Sequence, residues 1–377
     1  MRIKQGNRDA SGNWNHNEVE VPLKNPLVLV FSNRFVLEQE AVFSEMRVLF
    51  PDGHLVFGST SGEITGTSVL NNGLSYTAIE FEKASFEIVT HSILKEDKNS
   101  FKTGKHLAET LDQKLLKHVF VLSEGSNVNG SELIKGLASV LPEEVTITGG
   151  LCGDDARFEK TLAGYNEPAK EGEVIAIGLY GASLEISYAN YGGWFSFGPE
   201  RLITRSEGNV LYELDHKPAL DLYKNYLGEK ASELPQASLF YPLSVQFKDK
   251  KRPLVRTILN IDEASNAMVL AGDAPEGAKV KLMMATVDGI VDGALEAAKR
   301  AVKHREHPCQ LAILVSCVGR KLVMDQRVEE EVEEVCEVLG NQAVISGFYS
   351  YGELAPFSDD RICELHNQTM TLTLISE

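Results

Sequence analysis

The chain has 377 residues, 43% of them hydrophobic, enough for two or three domains with substantial cores. Its formal net charge of −17 and pI near 5.1 leave no basic field to replace phosphate counterions, which argues against nucleic acid and anionic membrane as partners. A polar beginning, apolar runs too short to span a bilayer and five cysteines without a C-x-x-C pair point to a cytoplasmic protein with reduced thiols.

Residues 1–25 read as an N-terminal extension. The first apolar strand, Leu27-Val-Leu-Val-Phe-Ser32, leads into a helix on which Leu37, Ala41, Val42, Met46 and Leu49 recur at helical spacing, with Glu38, Gln39 and Glu45 between them. Pro51-Asp-Gly53 ends it. A strand from His54 then delivers Phe57-Gly-Ser-Thr-Ser-Gly-Glu63, and Leu74 to Phe81 with Phe86 to Ile93 read as a hairpin-like pair. A charged connection and a helix over Thr103 to Leu116 follow.

A second copy of this plan begins at His118-Val-Phe-Val-Leu-Ser123. Asn129 can cap a helix with Glu132 at the third position, and Leu133, Ile134, Leu137, Val140 and Leu141 supply its apolar stripe. Strand Val145 to Thr148 enters Gly149-Gly-Leu-Cys-Gly-Asp154, and strands Val174 to Tyr180 and Leu184 to Tyr191 follow. Ser32 stands 26 residues ahead of Gly58, and Ser123 stands 26 ahead of Gly149. Spacing this regular predicts duplicated strand-helix-strand units, with the carboxylates Glu63 and Asp154 at matching places.

Tyr191-Gly-Gly-Trp-Phe-Ser-Phe-Gly-Pro199 marks a domain boundary near residue 195. Beyond it, Arg201 to Ser206, Asn209 to Glu213, Ser238 to Phe247, Leu254 to Ile261, Ala267 to Gly272 and Lys279 to Met283 read as mostly antiparallel strands, with one helix over Ala219 to Leu227. Helix Val287 to Val302 leads to a third copy, Leu311-Ala-Ile-Leu-Val-Ser316, where Val328, Val332, Val335, Cys336 and Leu339 form one helical face under a glutamate-rich solvated one. Its loop, Gly347-Phe-Tyr-Ser-Tyr-Gly-Glu353, sits 31 residues after Ser316 and adds Glu353 to the set of carboxylates. These carboxylates could bind a ligand ammonium group, but three copies of one device suggest a requirement of the fold. The expected class is α/β, built of repeated β-α-β units with mixed parallel and antiparallel sheets.

The Gly58-Ser-Thr-Ser-Gly62 loop is no nucleophile elbow, because Thr60 holds the middle position, and no phosphate loop, because no Gly-Lys-Ser/Thr follows. Cys152 and Cys317 lie in or beside the repeated loops, so an enzyme using a cysteine or serine stands as an alternative, although cysteine is a common small buried residue. Arg320, just past a strand end, suits a bidentate grip on a carboxylate, or a surface salt bridge. His366 opens the closing strand; a lone histidine is more often a hydrogen-bonded structural residue than a metal or haem ligand. The candidate ligand-binding residues are Ser316, Cys317, Arg320, Tyr349, Tyr351, Glu353, His366 and Asn367. Arg320, Tyr349, Tyr351 and His366 are expected to converge on one cavity, and no catalytic residue is assigned.

Gly192-Gly-Trp, Phe197-Gly-Pro-Glu200, Glu207-Gly-Asn-Val-Leu-Tyr-Glu-Leu-Asp, Pro218-Ala-Leu-Asp-Leu-Tyr, Ser316-Cys-Val-Gly-Arg320, the Gly347 loop and Leu365-His-Asn-Gln-Thr-Met-Thr-Leu together resemble the FIST family over nearly the whole chain. The resemblance implies a FIST N-terminal domain over 26–195 and a FIST C-terminal domain over 196–377. It implies a sensory module of signal transduction that binds a small ligand, amino acids having been proposed, and acts through a separate partner such as a histidine kinase or a cyclic-di-GMP enzyme. No cofactor is expected, although some members bind haem and sense nitric oxide; in that alternative His366 would be the iron ligand.

Overall fold

Strands Leu27–Ser32, Leu116–Ser123 and Leu311–Cys317 are apolar along nearly their whole length because each lies inside a sheet with both faces covered. A computed structural model describes residues 1–17, 22–357 and 360–377. In it each of these strands pairs in parallel with the strand that follows its crossover helix: His54–Ser59, Thr146–Leu151 and Val344–Ser350. The helices are Glu40–Leu49, Gly130–Ala138 and Glu330–Leu339. Asn129 accepts from the backbone N–H groups of Ser131 and Glu132, the cap its sequence predicts.

On its other side each central strand takes an antiparallel neighbour, Leu74–Glu80, Glu173–Tyr180 or Met370–Ser376. These in turn pair with Arg2–Arg8, Ser85–Ser92 and Glu185–Tyr191. The strand Arg2–Arg8 thus extends the first sheet along its full length. The chain is mixed α/β, with three sheets of one plan.

The units exchange strands in a closed ring. Glu63–Thr65 leaves the first unit to pair with Val344–Ser350 of the third; Gly352–Pro356 leaves the third to pair with Thr146–Leu151 of the second; Ala163–Tyr165 leaves the second to pair with His54–Ser59 of the first. The inner faces of the three sheets share one core, in which Leu29 and Phe31, Phe120 and Leu122, and Ile313, Val315 and Phe348 meet. The rings of Phe31 and Phe348 lie 4.7 Å apart. Where the parallel strands end, three backbone bonds close the ring: Gly153 N–H to Ser59 O at 2.9 Å, Ser61 N–H to Tyr349 O at 2.9 Å, and Tyr351 N–H to Leu151 O at 3.1 Å.

The register refines the repeat. Ser32, Ser123 and Ser316 face Ser59, Leu151 and Tyr349, so Gly149 matches Gly347 and Phe57, and Gly58 matches Gly150 and Phe348. The expected equivalence of Gly58, Gly149 and Gly347 is therefore off by one residue in the first unit. Glu63 and Glu353 do match, facing Phe348 and Gly150, but the second unit has Ala163 at that place, facing Gly58. Asp154 lies in a longer loop and is not their equivalent.

Between strand Glu185–Tyr191 and helix Val287–Val302 the third unit carries an inserted domain, an antiparallel sheet with helix Ala219–Leu227 and a core of its own around Ile203, Leu211, Leu220, Tyr223, Leu243 and Val280. The strand expected over Ser238 to Phe247 is a 3-10 turn, Gln236–Phe240, followed by a shorter strand, Leu243–Gln246. The helix expected over Thr103 to Leu116 runs Ser100–Thr110, since Leu116 already begins the central strand of the second sheet.

Candidate functional site

The C-terminal ends of the parallel strands gather many of the residues singled out in the sequence, and all eight are buried. The one that organises them is Glu331, on the helix Glu330–Leu339, which sequence reading placed on a solvated face. Its Oε1 accepts from Ser316 Oγ at 2.9 Å and Tyr349 Oη at 2.7 Å; its Oε2 accepts from Arg320 Nε at 2.9 Å and Nη2 at 2.6 Å. Arg320 also donates to the carbonyl oxygens of Gly192 and Ile290. Arg320 and Glu331 are both 0% exposed. Burial beside the Glu331 carboxylate holds the Tyr349 phenol well above its ordinary range. The missed signal was Glu331 itself, one step out of phase with the glutamates around it and followed by Val332 and Val335.

The other candidates stand apart. Tyr351 donates to Asp154 Oδ1, which anchors the long loop of the second unit by accepting from Phe158 N–H at 2.9 Å, while its Oδ2 accepts from Lys160 N–H at 3.0 Å and Arg34 Nη1 at 3.0 Å. Glu353 accepts from Ser350 Oγ at 2.7 Å and from Thr369 N–H and Oγ1 at 3.1 and 2.9 Å; burial pushes its carboxyl up to about 8. Its equivalent Glu63 accepts from Thr60 Oγ1 at 2.6 Å and is likewise pushed by burial to about 8. Burial, with Glu353 nearby, raises the Cys317 thiol, and burial with Glu124 nearby raises that of Cys152. Neither is prepared as a thiolate.

His366 is 3% exposed, with Nε2 2.9 Å from Ala355 O and the ring edge-on to Phe357 at 4.9 Å. Burial depresses its pKa to about 3, so the ring is neutral. That nitrogen, engaged by a main-chain carbonyl and 3.4 Å from Asn190 Nδ2, is not open to an iron. Asn367 Oδ1 accepts from Thr257 N–H at 3.4 Å. Arg320 and Tyr349 thus meet, whereas Tyr351 bonds Asp154 and His366 lies against Ala355 and Phe357.

A concave site does open between the inserted domain and the second unit. This cleft, of about 450 Å³, is lined by Ser131 and Lys135 of the helix Gly130–Ala138, by Glu364, and by Phe247, Asp249, Lys250, Arg256 and Asp273 of the inserted domain. Lys135 bonds Asp273 Oδ2 at 3.2 Å and Lys250 bonds Glu364 Oε1, so each pair ties the inserted domain to the core. Arg256 differs. It is 2% exposed, donates to Asp273 O at 3.1 Å and Leu365 O at 2.8 Å, and has no carboxylate within ion-pairing distance among the described residues. Burial lowers its pKa to about 10 despite the fields of Asp273 and Glu364. The Phe247 ring lies 5.4 Å from Lys250 Nζ and 5.7 Å from the guanidinium. Sequence reading missed these residues because strands of the inserted domain carry no repeated spacing to single them out.

Fold and cleft together define an α/β protein of three interlocked units whose inserted domain closes one side of a mixed-charge cleft. The chain belongs to the FIST family: residues 26–217 match the FIST N domain and residues 219–356 the FIST C domain, which are sensory domains of signal transduction. An uncharacterized protein of Methanocaldococcus jannaschii is 25% identical over 345 residues, covering 83% of this chain and 62% of that protein. The chain therefore spans under two thirds of that relative's length. Slighter likenesses are to a chorismatase crystal structure, at 10% identity and a TM-score of 0.32 over 100% of this chain and 98% of that one, and to cyanuric acid hydrolase from A. caulinodans, at 8% identity and 0.35 over 93% and 90%. Among the described residues no helix is long and apolar enough to cross a membrane, and no group of three or more His, Cys, Asp or Glu could hold a metal ion.

Proposed function

We propose that this chain is a small-ligand sensor that takes an amino acid in the cleft between the inserted domain and the second unit, and signals through a separate protein such as a histidine kinase or a cyclic-di-GMP enzyme. The observation that carries this reading is Arg256: a buried guanidinium at a concave site, bonded to carbonyl oxygens and without a carboxylate partner among the described residues, calls for an anion. A free α-carboxylate supplies one. Asp249, Asp273 and Glu364 in the same cleft suit the ammonium group, and Phe247 offers an apolar wall.

The cleft's two sides belong to different bodies, so a ligand touching both favours the arrangement in which they are closed, and that shift is what a partner could read. An enzymatic alternative through Cys152 or Cys317 draws little support, since both thiols are buried and raised. The test is calorimetry on the full chain with the twenty amino acids and their decarboxylated amines. We expect at least one amino acid to bind and its amine to bind tenfold or more weakly, about 1.4 kcal/mol. Equal binding of acid and amine, or no binding at all, would sink the reading.

A further inference from the structure

The turn Asn367-Gln368, part of the family-like closing motif, is not used by the cleft, and it holds the most unusual polar arrangement in the protein. Asn367 and Gln368 are both 0% exposed and Thr257 is 3% exposed. Asn367 Oδ1 takes the Thr257 N–H at 3.4 Å, and Gln368 Nε2 donates to Leu239 O at 3.1 Å, so both amides reach across to the inserted domain. Yet Asn367 Nδ2, Gln368 Oε1 and Thr257 Oγ1 have no hydrogen-bond partner among the described residues. Three such atoms at one joint are far from the rule that buried polar groups are paired.

The joint is held in this state by its backbone. Gln368 has φ 63°, a left-handed conformation uncommon for a side chain of its kind, and strain of this sort concentrates at binding sites. Gly319 makes room: a Cβ there would stand 2.3 to 2.4 Å from the Gln368 amide atoms. Trp194 Nε1 donates to Gln368 O at 3.0 Å and fixes the turn from the linker that enters the inserted domain.

We propose that Asn367, Gln368 and Thr257 form a second binding site, at the joint of the inserted domain with the core, for an uncharged group that both donates and accepts hydrogen bonds, a primary carboxamide being the simplest. The three atoms offer an N–H donor, a carbonyl acceptor and a hydroxyl, the complement of a carboxamide's oxygen and NH₂. No charged side chain belongs to the set, which disfavours ions. None of these three residues lines the Arg256 cleft, although Thr257 follows Arg256 in the chain.

The chain's two tryptophans, Trp14 and Trp194, give the test its readout. In the Trp14→Phe variant the emission of Trp194 reports on the turn. Titration with acetamide should give a saturable change, at least tenfold stronger than with dimethylformamide, which accepts but cannot donate. Thr257→Val should weaken acetamide tenfold or more, about 1.4 kcal/mol. Because that variant could fold poorly, crystals of the unmodified chain soaked in acetamide give a second measurement. Acetamide between Asn367 and Gln368 upholds the site. Ordered water alone in those crystals, or equal response to acetamide and dimethylformamide, overturns it.

Discussion

Replacing Glu331 by glutamine tests whether this buried carboxylate is a pillar of the fold. The carboxylate takes four hydrogen bonds, two of them from Arg320, and the pair is 0% exposed. Glutamine keeps the shape but sets an NH₂ against donors and strips Arg320 of its counter-charge. Removing one partner of a buried pair costs about 3–5 kcal/mol. Arg320→Met should cost a similar amount, since the carbonyls of Gly192 and Ile290 lose their donor as well. If the two residues act as one unit, Arg320→Met combined with Glu331→Gln should be less damaging than the two costs added, by about 2 kcal/mol or more. Urea unfolding of the three variants and the parent gives the cycle. A Glu331→Gln cost under about 1 kcal/mol, or strictly additive effects, would refute the reasoning. The same geometry bears on Arg320 as a ligand clamp: of its five N–H groups, four are already engaged inside the protein.

Two further outcomes follow from the buried groups and the ring of loops. Glu63 and Glu353 have folded-state pKa values of about 8 against 4.5, so their contribution is fully present below pH 4.5 and is lost as pH rises toward 8; His118 and His366, at about 3 against 6.5, contribute above pH 6.5 and lose it as pH falls toward 3. The four nearly cancel between 4.5 and 6.5, so unfolding free energy should be level there and fall on both sides, by up to roughly 1.4 kcal/mol per pH unit for each titrating group; stability still rising from pH 6.5 to 8 would contradict this. Gly149→Ala and Gly347→Ala should each cost more than about 2 kcal/mol, because a Cβ would stand 2.0 Å from Val121 O or Leu314 O; matched chemical denaturation showing either to be neutral would break the equivalence of the two positions.

The repeat was readable because central strands buried on both faces must be continuous apolar runs and crossover helices must show one apolar stripe. Leu27–Ser32, Leu116–Ser123 and Leu311–Cys317 satisfy the first condition, and their helices the second. The exchange of short strands was not readable. Glu63–Thr65 and Ala163–Tyr165 are three residues each, and nothing local says that their partners lie in another unit. The one-residue slip of Gly58 has the same origin: glycine spacing records the loops, whereas the ladder is set by which residues face the core. Ser316, Arg320 and Tyr349, grouped in the sequence, do meet in the structure, around Glu331; Glu331 and Arg256 were missed, because their places depend on burial that only the packed chain creates.

The odd second unit shows what the ring of loops demands. In the first and third units the exchanged strand carries, as its first or second residue, a glutamate that accepts from a hydroxyl three residues back, Thr60 to Glu63 at 2.6 Å and Ser350 to Glu353 at 2.7 Å. The second unit has Cys152 where those hydroxyls stand and Ala163 where the glutamates stand, so that bond cannot form. Its longer loop instead folds around Asp154, which gathers three backbone N–H groups, Tyr351 of the third unit and Arg34 of the first. Different side chains thus meet one physical need, a turn whose polar groups are paired while it passes from one sheet to the next. Asp154 draws partners from all three units, so the loop that departs most from the repeat is also the one that ties the units together.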